Sequence, residues 1–311
     1  MPATGHGVTA SVPYFNARRY IRRAVESLLA QTHRDITIIV VNDGDPNPPW
    51  SELAHIRDPR LIRFSLDLNY GPYFVHQIVL TASSAPYFLV QDADDWSTPT
   101  RVASLLHALT TEGSDLAFSS WQQYRADADG NLQPDSIRWR RRRPGDPLLA
   151  PPGQRELFLF DPILNEHFVN RAAHHGIFRR QALESIGGYY AGFRMNYDTL
   201  LTNFLLMTGR VSFVDEPHYQ YVIRPDSLSH SAATGVRSPI RIATKQHLAA
   251  MYSEAFGHYH AWIRRQISSA EFTGHIRRLA ACNITPELRS ALNRETARLV
   301  AHIRQNALAN P

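Results

Sequence analysis

The first half of the chain alternates between short apolar runs and segments whose apolar residues recur at helical spacing. The runs predict five strands, at Val8–Val12, Ile36–Val41, Leu61–Phe64, Tyr87–Val90 and Asp115–Ser119. The helical spacing predicts three helices between them, at Ala17–Gln31, at Pro72–Ala82 and from Pro99 to Leu109, the last with Thr98 as its N-cap. This order predicts an α/β fold with an open, mostly parallel sheet and helices on both faces.

The second half is less regular and ends in two amphipathic helices. The stretch from Arg125 to about Phe160 has no period and predicts a long loop with a hairpin. The elements predicted after it are a strand at Gly176–Phe178, helices at Arg180–Ile186 and Tyr197–Met207, and two short strands at Val211–Val214 and Tyr219–Ile223. One terminal helix includes Leu248 to Ile263, and the other begins at Pro286 with Thr285 as N-cap. We predict a domain over 1–237, in halves 1–120 and 121–237, and a helical extension over 238–311.

Composition narrows the class of protein only slightly. The 311 residues are 43% apolar and 20% charged, with a formal net charge of +5, as in an ordinary globular protein. The single cysteine, Cys282, excludes a disulfide framework or a cysteine zinc site within one chain. The N-terminus does not read as a signal peptide, and no apolar run approaches the roughly 18–20 residues of a membrane span. We therefore expect a cytoplasmic protein with at most peripheral membrane contact, and no nucleic-acid partner, since only Arg138–Arg143 is concentrated enough to form a basic patch.

An acidic run, Asp92-Ala93-Asp94-Asp95, follows the apolar strand at Tyr87–Val90. Ligands of open α/β sheets bind beyond the carboxyl ends of the strands, and Asn42-Asp43-Gly44 ends a neighbouring strand in the same way. Carboxylates two residues apart at such a place suit Mg²⁺ or Mn²⁺, which neutralise a diphosphate. The alternative is a solvated acidic turn that caps the next helix.

Several motifs, in order, resemble the nucleotide-binding half of family 2 glycosyltransferases with the GT-A fold. Besides the acidic run, they are Ser11-Val12-Pro13-Tyr14-Phe15-Asn16, Ser27-Leu28-Leu29 with Gln31-Thr32, Val41-Asn42-Asp43-Gly44-Asp45 and Asn69-Tyr70-Gly71-Pro72. Each motif is weak alone, but their order and spacing are specific together. The resemblance covers about the first third of the chain and continues more weakly to about residue 231.

The resemblance implies roles for individual residues. Pro13, Tyr14 and Asn16 would line the nucleotide pocket, together with Asn69, Gly71 and Ala93. Asp43 would accept a hydrogen bond from the base, most often uracil. Asp92 would lie near the ribose and the metal, and Asp94 would be the principal ligand of Mn²⁺ or Mg²⁺. Purely structural turns remain the alternative for Asp43, Asn69 and Gly71.

The second half would supply the catalytic base. Gly187-Gly188-Tyr189 and Tyr197-Asp198 are similar to the family's Gly-Gly-Phe segment and Glu-Asp helix start, with the glutamate replaced by Tyr197. An inverting transfer needs a carboxylate to take the acceptor proton, and Asp198 is the candidate. Its alternative role is a carboxylate at a helix N-terminus, stabilised by the dipole.

Three further features are weaker. Within the segment that resembles the family's Tyr-Arg and Ser-x-Ser, Arg224 would contact phosphate and His230 is a candidate metal ligand. His174 and His175 precede a strand, and in an extended chain their side chains point opposite ways, so shared metal binding is not expected. The family often has Ala-Arg-Asn where this chain has Val75-His76-Gln77, which leaves the nucleotide's identity open.

The sequence therefore predicts an inverting, metal-assisted glycosyltransferase. Its donor would be a nucleotide diphosphate sugar, UDP-linked by default, and its acceptor a hydroxyl or amine of a small molecule or glycan. A non-catalytic nucleotide-sugar binding protein on the same fold is the alternative. A dehydrogenase is disfavoured because no G-x-G-x-x-G follows the first strand. The C-terminal helices could pack on the domain, form a homodimer or contact a membrane surface.

Overall fold

The computed structural model describes residues 5–127, 129–138, 174–195, 197–231, 233–235 and 237–309. The strands are β1 (Val8–Tyr14), β2 (Ile36–Asp43), β3 (Leu61–Leu66), β4 (Tyr87–Val90), β5 (Trp96–Ser97), β6 (Leu116–Ala126), β7 (Leu132–Arg138), β8 (Ile177–Arg179) and β9 (Val211–Ile223). The helices are α1 (Ile21–Leu29), α2 (Pro72–Ala82), α3 (Arg101–Thr111), α4 (Arg180–Ser185), α5 (Tyr197–Thr208), α6 (Pro239–Ile263), α7 (Ser269–Ala281) and α8 (Pro286–Ala309).

The strands form one sheet in the order β3-β2-β1-β4-β8-β6-β9-β5, with β7 paired to β6. The first four strands of that order are parallel, and so are β6 and β9. β8 is antiparallel to both β4 and β6, so it joins the two parallel groups. The predicted α/β sheet is thus confirmed, with antiparallel pairing at β8, at β5 and in the β6–β7 hairpin.

Helices cover both faces of the sheet. Alternate residues of each strand point to opposite sides, so a single strand contributes to both cores. Ile38 and Val40 of β2 belong to a core under α1 and α3. Ile39 and Val41 belong to a larger core that includes α2, α5 and the C-terminal helices. The continuous apolar run of β2 is therefore explained by burial on both sides.

The three C-terminal helices are continuous with the second core. Leu248, Met251 and Leu299 pack in the same buried cluster as Phe74 and Val79 of α2. Thr285 caps α8 as predicted, since its hydroxyl accepts a hydrogen bond from the Leu288 amide at 3.2 Å. Helix α7 was not predicted from the sequence, although its capping box, Ser268 with Glu271, was a readable signal.

Two other local predictions are wrong. Thr98 does not cap α3, which begins at Arg101; its hydroxyl instead pairs with His218 Nδ1 at 2.7 Å. This pairing continues the contact of β5 with β9, which a local capping rule does not consider. The two short strands predicted after Gly209 form the single strand β9, because a register shift against β6 accommodates the residues between Val214 and Tyr219.

The predicted hairpin is present as β6–β7, around Gly130. The rest of the predicted long loop, including positions 139–143 of the basic run, lies outside the described residues. Among the described residues, no helix is long and apolar enough to cross a membrane.

Candidate active site

A cavity of about 900 Å³ opens at the carboxyl ends of β1, β2 and β4. Most of the residues predicted to form the site line it, namely Pro13, Tyr14, Asn16, Asp43, Asn69, Gly71, Asp92, Ala93, Asp94, Asp198 and Arg224. His230 lies outside this lining. It is exposed, and its Nδ1 is 2.9 Å from the Ser227 hydroxyl.

The turn after β1 depends on Asn16, which has a positive φ of 49°. Asparagine tolerates this left-handed conformation better than most residues. The Asn16 amide donates to Asp45 Oδ2 at 2.7 Å, and its carbonyl accepts from Arg224 at 2.9 Å. The turn therefore connects the end of β1 to the loop after β2 and to the chain that leaves β9.

Asp43, at the end of β2, is buried and holds the start of α2. Its two carboxylate oxygens accept hydrogen bonds from the amides of Tyr70 at 2.9 Å and Gly71 at 2.8 Å. Burial raises the pKa of Asp43, although the two amides and nearby Arg194 oppose the rise. Gly71 has a φ of 96°, which favours glycine at this turn. Asp43 thus has a structural role, and its contact with a base stays a prediction.

The three carboxylates of the acidic run have different partners. Asp92 Oδ2 lies 3.0 Å from His175 Nε2. Asp94 Oδ2 accepts a hydrogen bond from Arg224 Nε at 2.6 Å in a largely buried ion pair. Asp95 accepts from the Val222 amide at 2.7 Å, so it fixes the run to β9.

These surroundings separate the acidities of the three groups. Burial raises the pKa of Asp94, against the opposing charge of Arg224. Burial and the negative charges of its neighbours raise the pKa of Asp95 well above its ordinary value. Burial acts in the same direction on Asp92, yet the charges of His175, His174 and His76, together with the hydrogen bond to His175, outweigh it and lower the pKa of Asp92.

The run has the donor set of a divalent cation site. One oxygen from each of Asp92, Asp94 and Asp95 lies within 4.8 Å of the others, and hard cations take such oxygen ligands. Within the described part of the chain, a second group of the same compactness joins Asp92 to His174 and His175. The residues present therefore fit a divalent metal.

The prediction that His174 and His175 point apart is wrong. These residues lie in a helical turn before β8, not in an extended strand, so both side chains line the cavity. Their ring centroids are 5.1 Å apart, and His175 stacks on Tyr219 at 4.2 Å.

Arg101 is a buried residue behind the acidic run that no sequence pattern singled out. Its guanidinium donates to Gln91 Oε1 and Ser97 Oγ at 2.8 Å each, to the Val90 carbonyl at 2.9 Å and to the His175 carbonyl. Burial lowers the pKa of Arg101 to about 10. Arg101 thereby connects the end of β4, which leads into the acidic run, to the histidine turn.

We expect Arg101→Met to lower the free energy of unfolding by at least about 3 kcal/mol, because several buried acceptors lose their donor together. Urea-induced unfolding followed by circular dichroism measures this. The matched control is Arg57→Met at an exposed arginine, where a change within about 0.5 kcal/mol is expected. Equal stabilities of the two variants would contradict the structural role of Arg101.

Asp198 is in the first turn of α5 and lines the cavity. Its Oδ1 accepts a hydrogen bond from the Tyr73 hydroxyl at 3.1 Å, and its own amide donates to the same hydroxyl oxygen at 3.3 Å. Tyr73 therefore holds the carboxylate, which lies at the positive end of the helix dipole.

The substituted positions after the Asn-Tyr-Gly turn serve internal contacts. His76 Nδ1 lies 2.9 Å from the Ser11 hydroxyl, and Gln77 Oε1 accepts from the Tyr189 amide at 2.6 Å. The His76 side chain thus contacts β1, and the Gln77 side chain contacts the Gly187-Gly188-Tyr189 segment. A guanidinium reaches this region from elsewhere: Arg194 lines the cavity and donates to the Asn69 carbonyl at 2.7 Å.

The remaining wall comes from the segment after β9 and from α6. Arg241, Lys245 and Tyr252 of α6 line the cavity. Arg241 donates to the carbonyls of Leu228 at 2.9 Å and Thr234 at 3.0 Å, which fixes the segment to the helix. The predicted C-terminal extension therefore contributes directly to the site.

The site thus has carboxylates at the strand ends of an open α/β sheet, where ligands of such sheets bind. The model of Glycosyl transferase family 2 matches residues 9–187, more than half of the chain. The chain belongs to this family.

Curated relatives match over the first part of the chain. It is 26% identical over 114 residues to the UDP-Glc:alpha-D-GlcNAc-diphosphoundecaprenol beta-1,3-glucosyltransferase WfaP of Escherichia coli, over 37% of this chain and 45% of that protein. It is 30% identical over 113 residues to the succinoglycan biosynthesis protein ExoO of Rhizobium meliloti, over 36% of this chain and 32% of that protein. The matches thus span less than half the length of these relatives.

Solved structures resemble almost the whole chain. S. aureus TarS 1–349 in complex with UDP superimposes with a TM-score of 0.53 at 15% identity, covering 96% of this chain and 90% of that chain. The complex of the same protein with UDP-GlcNAc gives a TM-score of 0.55 at 14% identity, with the same coverage. At this identity the likeness shows the fold, which is the GT-A fold expected from the sequence.

Proposed function

We propose that this protein transfers a sugar from a nucleotide diphosphate sugar to a hydroxyl or amine of an acceptor, with inversion at the anomeric carbon and assistance from Mn²⁺ or Mg²⁺. The observation that carries the proposal is that Asp92, Asp94 and Asp198 line one cavity. Two of these carboxylates follow β4, and the third is in the first turn of α5.

The proposed donor is UDP-linked. This rests on the resemblance of the motifs around Asp43, and on relatives whose names or complexes contain UDP, UDP-Glc or UDP-GlcNAc. The nucleotide base, uracil, would lie beside the turn of Pro13, Tyr14 and Asn16. We also propose that residues 1–120 hold the nucleotide and residues 121–237 the acceptor, with α6 closing the cavity from the extension.

In the proposed reaction, Asp198 takes the proton of the acceptor hydroxyl while the acceptor oxygen forms a bond to the anomeric carbon. The bond from that carbon to the diphosphate oxygen breaks, and the electron pair leaves with the diphosphate. Tyr73 holds the carboxylate of Asp198 toward the cavity. A divalent cation, when bound, neutralises the charge that develops on the leaving diphosphate. Asp92 and Asp94 are the residues that would hold it.

The test is release of UDP from UDP-sugars by purified protein, with and without candidate acceptors. We expect release to depend on Mn²⁺ or Mg²⁺ and to stop with chelator. Binding of UDP-sugars without any release would favour the non-catalytic alternative, for which the Asp94–Arg224 ion pair and the replaced glutamate at Tyr197 are the supporting observations. Release that neither chelator nor Asp94→Ala affects would contradict the metal assignment.

Arg194 is the proposed replacement for the basic group missing at Val75-His76-Gln77. We expect Arg194→Ala to raise the KM for the donor about tenfold, which corresponds to one charge-assisted hydrogen bond of about 1.5 kcal/mol. The value of kcat should change less. Initial rates at varied donor concentration measure both, and Arg194→Lys should recover part of the loss. An unchanged KM in Arg194→Ala would remove Arg194 from the donor site.

A further inference from the structure

We propose that Asp92, His174 and His175 form a divalent transition-metal site in which two imidazole nitrogens bind the cation. This site deepens the proposed function and rests on it in part, because Asp92 belongs to the proposed donor site. Metal binding by the histidines is nevertheless measurable without donor or turnover.

The geometry of the three side chains fits a single cation. One ligand atom from each of them lies within 4.8 Å of the others. His175 Nε2 and Asp92 Oδ2 are 3.0 Å apart. Two atoms that bind one metal at about 2.1 Å lie about 3.0–3.4 Å apart at octahedral or tetrahedral angles. The observed separation, which is also that of a hydrogen bond, allows both atoms to bind one cation.

Both histidines also carry unsatisfied polar atoms. His174 and His175 are only 7% and 8% exposed. Nδ1 of each ring is fully buried and has no hydrogen-bond partner. An unpaired buried polar group costs about 1–3 kcal/mol, so an unpaired ring nitrogen beside a cavity indicates a ligand. A metal bound at His174 Nδ1 would offset that cost for His174, whereas His175 faces Asp92 through Nε2 and its Nδ1 stays unpaired.

Asp92 belongs to both groups of possible ligands, the acidic run and the histidine group. In the acidic run, Arg224 donates to Asp94 Oδ2 at 2.6 Å and the Val222 amide donates to Asp95 Oδ1 at 2.7 Å, so one oxygen of each carboxylate is engaged. The partner of Asp92 Oδ2 is His175, which is itself a candidate ligand. A cation bound by Asp92 and the histidines therefore lies beside Asp94 and leaves the proposed role of that residue in place.

The histidine turn is also held in place by surrounding contacts. The His175 ring stacks on Tyr219, and the Tyr219 hydroxyl accepts a hydrogen bond from the Asp92 amide at 3.2 Å. Arg101 donates to the His175 carbonyl. Such outer contacts orient metal ligands and are a usual part of a metal site.

The ligand set determines the class of cation. Two imidazoles and one carboxylate suit Mn²⁺, Co²⁺ or Zn²⁺, whereas Mg²⁺ prefers oxygen ligands and keeps several waters. We therefore expect Mn²⁺ to bind this protein more tightly than Mg²⁺, by a margin that depends on the two histidines.

The experiment is pulsed electron paramagnetic resonance of the whole chain loaded with less than one equivalent of Mn²⁺, without nucleotide. Modulation from directly bound ¹⁴N is expected in the parent protein and is expected to weaken or vanish in His174→Ala and His175→Ala. His174→Gln and His175→Gln keep more of the side-chain volume and serve if the alanine variants do not fold. Circular dichroism and thermal unfolding check the fold of each variant.

The matched control is His230→Ala, which removes the histidine that the sequence suggested as a ligand. It should keep the ¹⁴N modulation. Calorimetric titration should show Mn²⁺ affinity about 10–100-fold lower in the His174 and His175 variants, with a smaller effect on Mg²⁺. Absence of ¹⁴N modulation in the parent protein, or its loss in His230→Ala alone, would overturn the proposal. Metal binding with ¹⁴N modulation but no UDP release would instead contradict the proposed function and leave this site standing.

Discussion

Asp198→Asn is expected to lower kcat by about 10²–10⁴-fold while the affinity for the donor changes little. The reason is that the amide cannot accept the acceptor proton, although it preserves the shape of the side chain. Its oxygen can still accept the hydrogen bond that the Tyr73 hydroxyl donates to Asp198 at 3.1 Å, so the local structure should be retained. Steady-state release of UDP with a competent acceptor measures kcat, and calorimetry with UDP measures binding.

Two further variants test whether the effect is specific to the carboxylate of Asp198. Asp67→Asn changes a carboxylate that is 82% exposed, outside the cavity lining, and should leave kcat unchanged. Tyr73→Phe removes the hydroxyl that holds Asp198 and should lower kcat less than Asp198→Asn does, with little effect on the KM for the donor. Near-normal turnover of Asp198→Asn would show that another group accepts the proton.

Asp94→Asn is expected to lower kcat/KM by about 100-fold or more, because the proposed metal site would lose a charged ligand. The effect should include weaker binding of Mn²⁺, which separates it from a defect in chemistry alone. The change also removes the 2.6 Å ion pair with Arg224, but Arg224 keeps its contact with Asp226 at 3.0 Å and with the Asn16 carbonyl. Turnover at varied Mn²⁺ concentration is the measurement.

The response to metal distinguishes a role of Asp94 as a metal ligand from a role as the ion-pair partner of Arg224. Parent protein should lose activity with chelator and recover it with added Mn²⁺, whereas residual activity of Asp94→Asn should respond far less. Asp67→Asn again provides the control, since it removes one carboxylate outside the cavity lining. If Asp94→Asn kept both its activity and its affinity for Mn²⁺, Asp94 would serve the ion pair with Arg224 and not the metal.

Local patterns predicted most of the regular structure. The bounds of α2 and β4 match the predicted Pro72–Ala82 and Tyr87–Val90, because a helical period and a short apolar run are unambiguous when turn residues flank them. The capping prediction at Thr98 failed because a distant strand decided the outcome. Thr98 pairs with His218, 120 positions along the chain, in place of capping α3.

The candidate site also has features that local sequence predicts and features that it does not. The acidic run and its position at a strand end were readable, since both are local. The partners that give each carboxylate a separate role were not readable. Arg224 lies 130 positions from Asp94, and His175 lies 83 positions from Asp92. Arg101 carried no signal because a buried arginine in the first turn of a helix has the same sequence pattern as an exposed one.

Local sequence patterns therefore suffice to predict the α/β order of elements, the family resemblance and the candidates Asp92, Asp94 and Asp198. These follow from periodicity and short motifs, which act over a few residues. The tertiary structure decided that His174 and His175 converge on Asp92, that Arg224 pairs with Asp94 and that α6 forms a wall of the cavity. Such contacts depend on how the sheet and its helices pack, and packing joins residues whose separation along the chain carries no pattern.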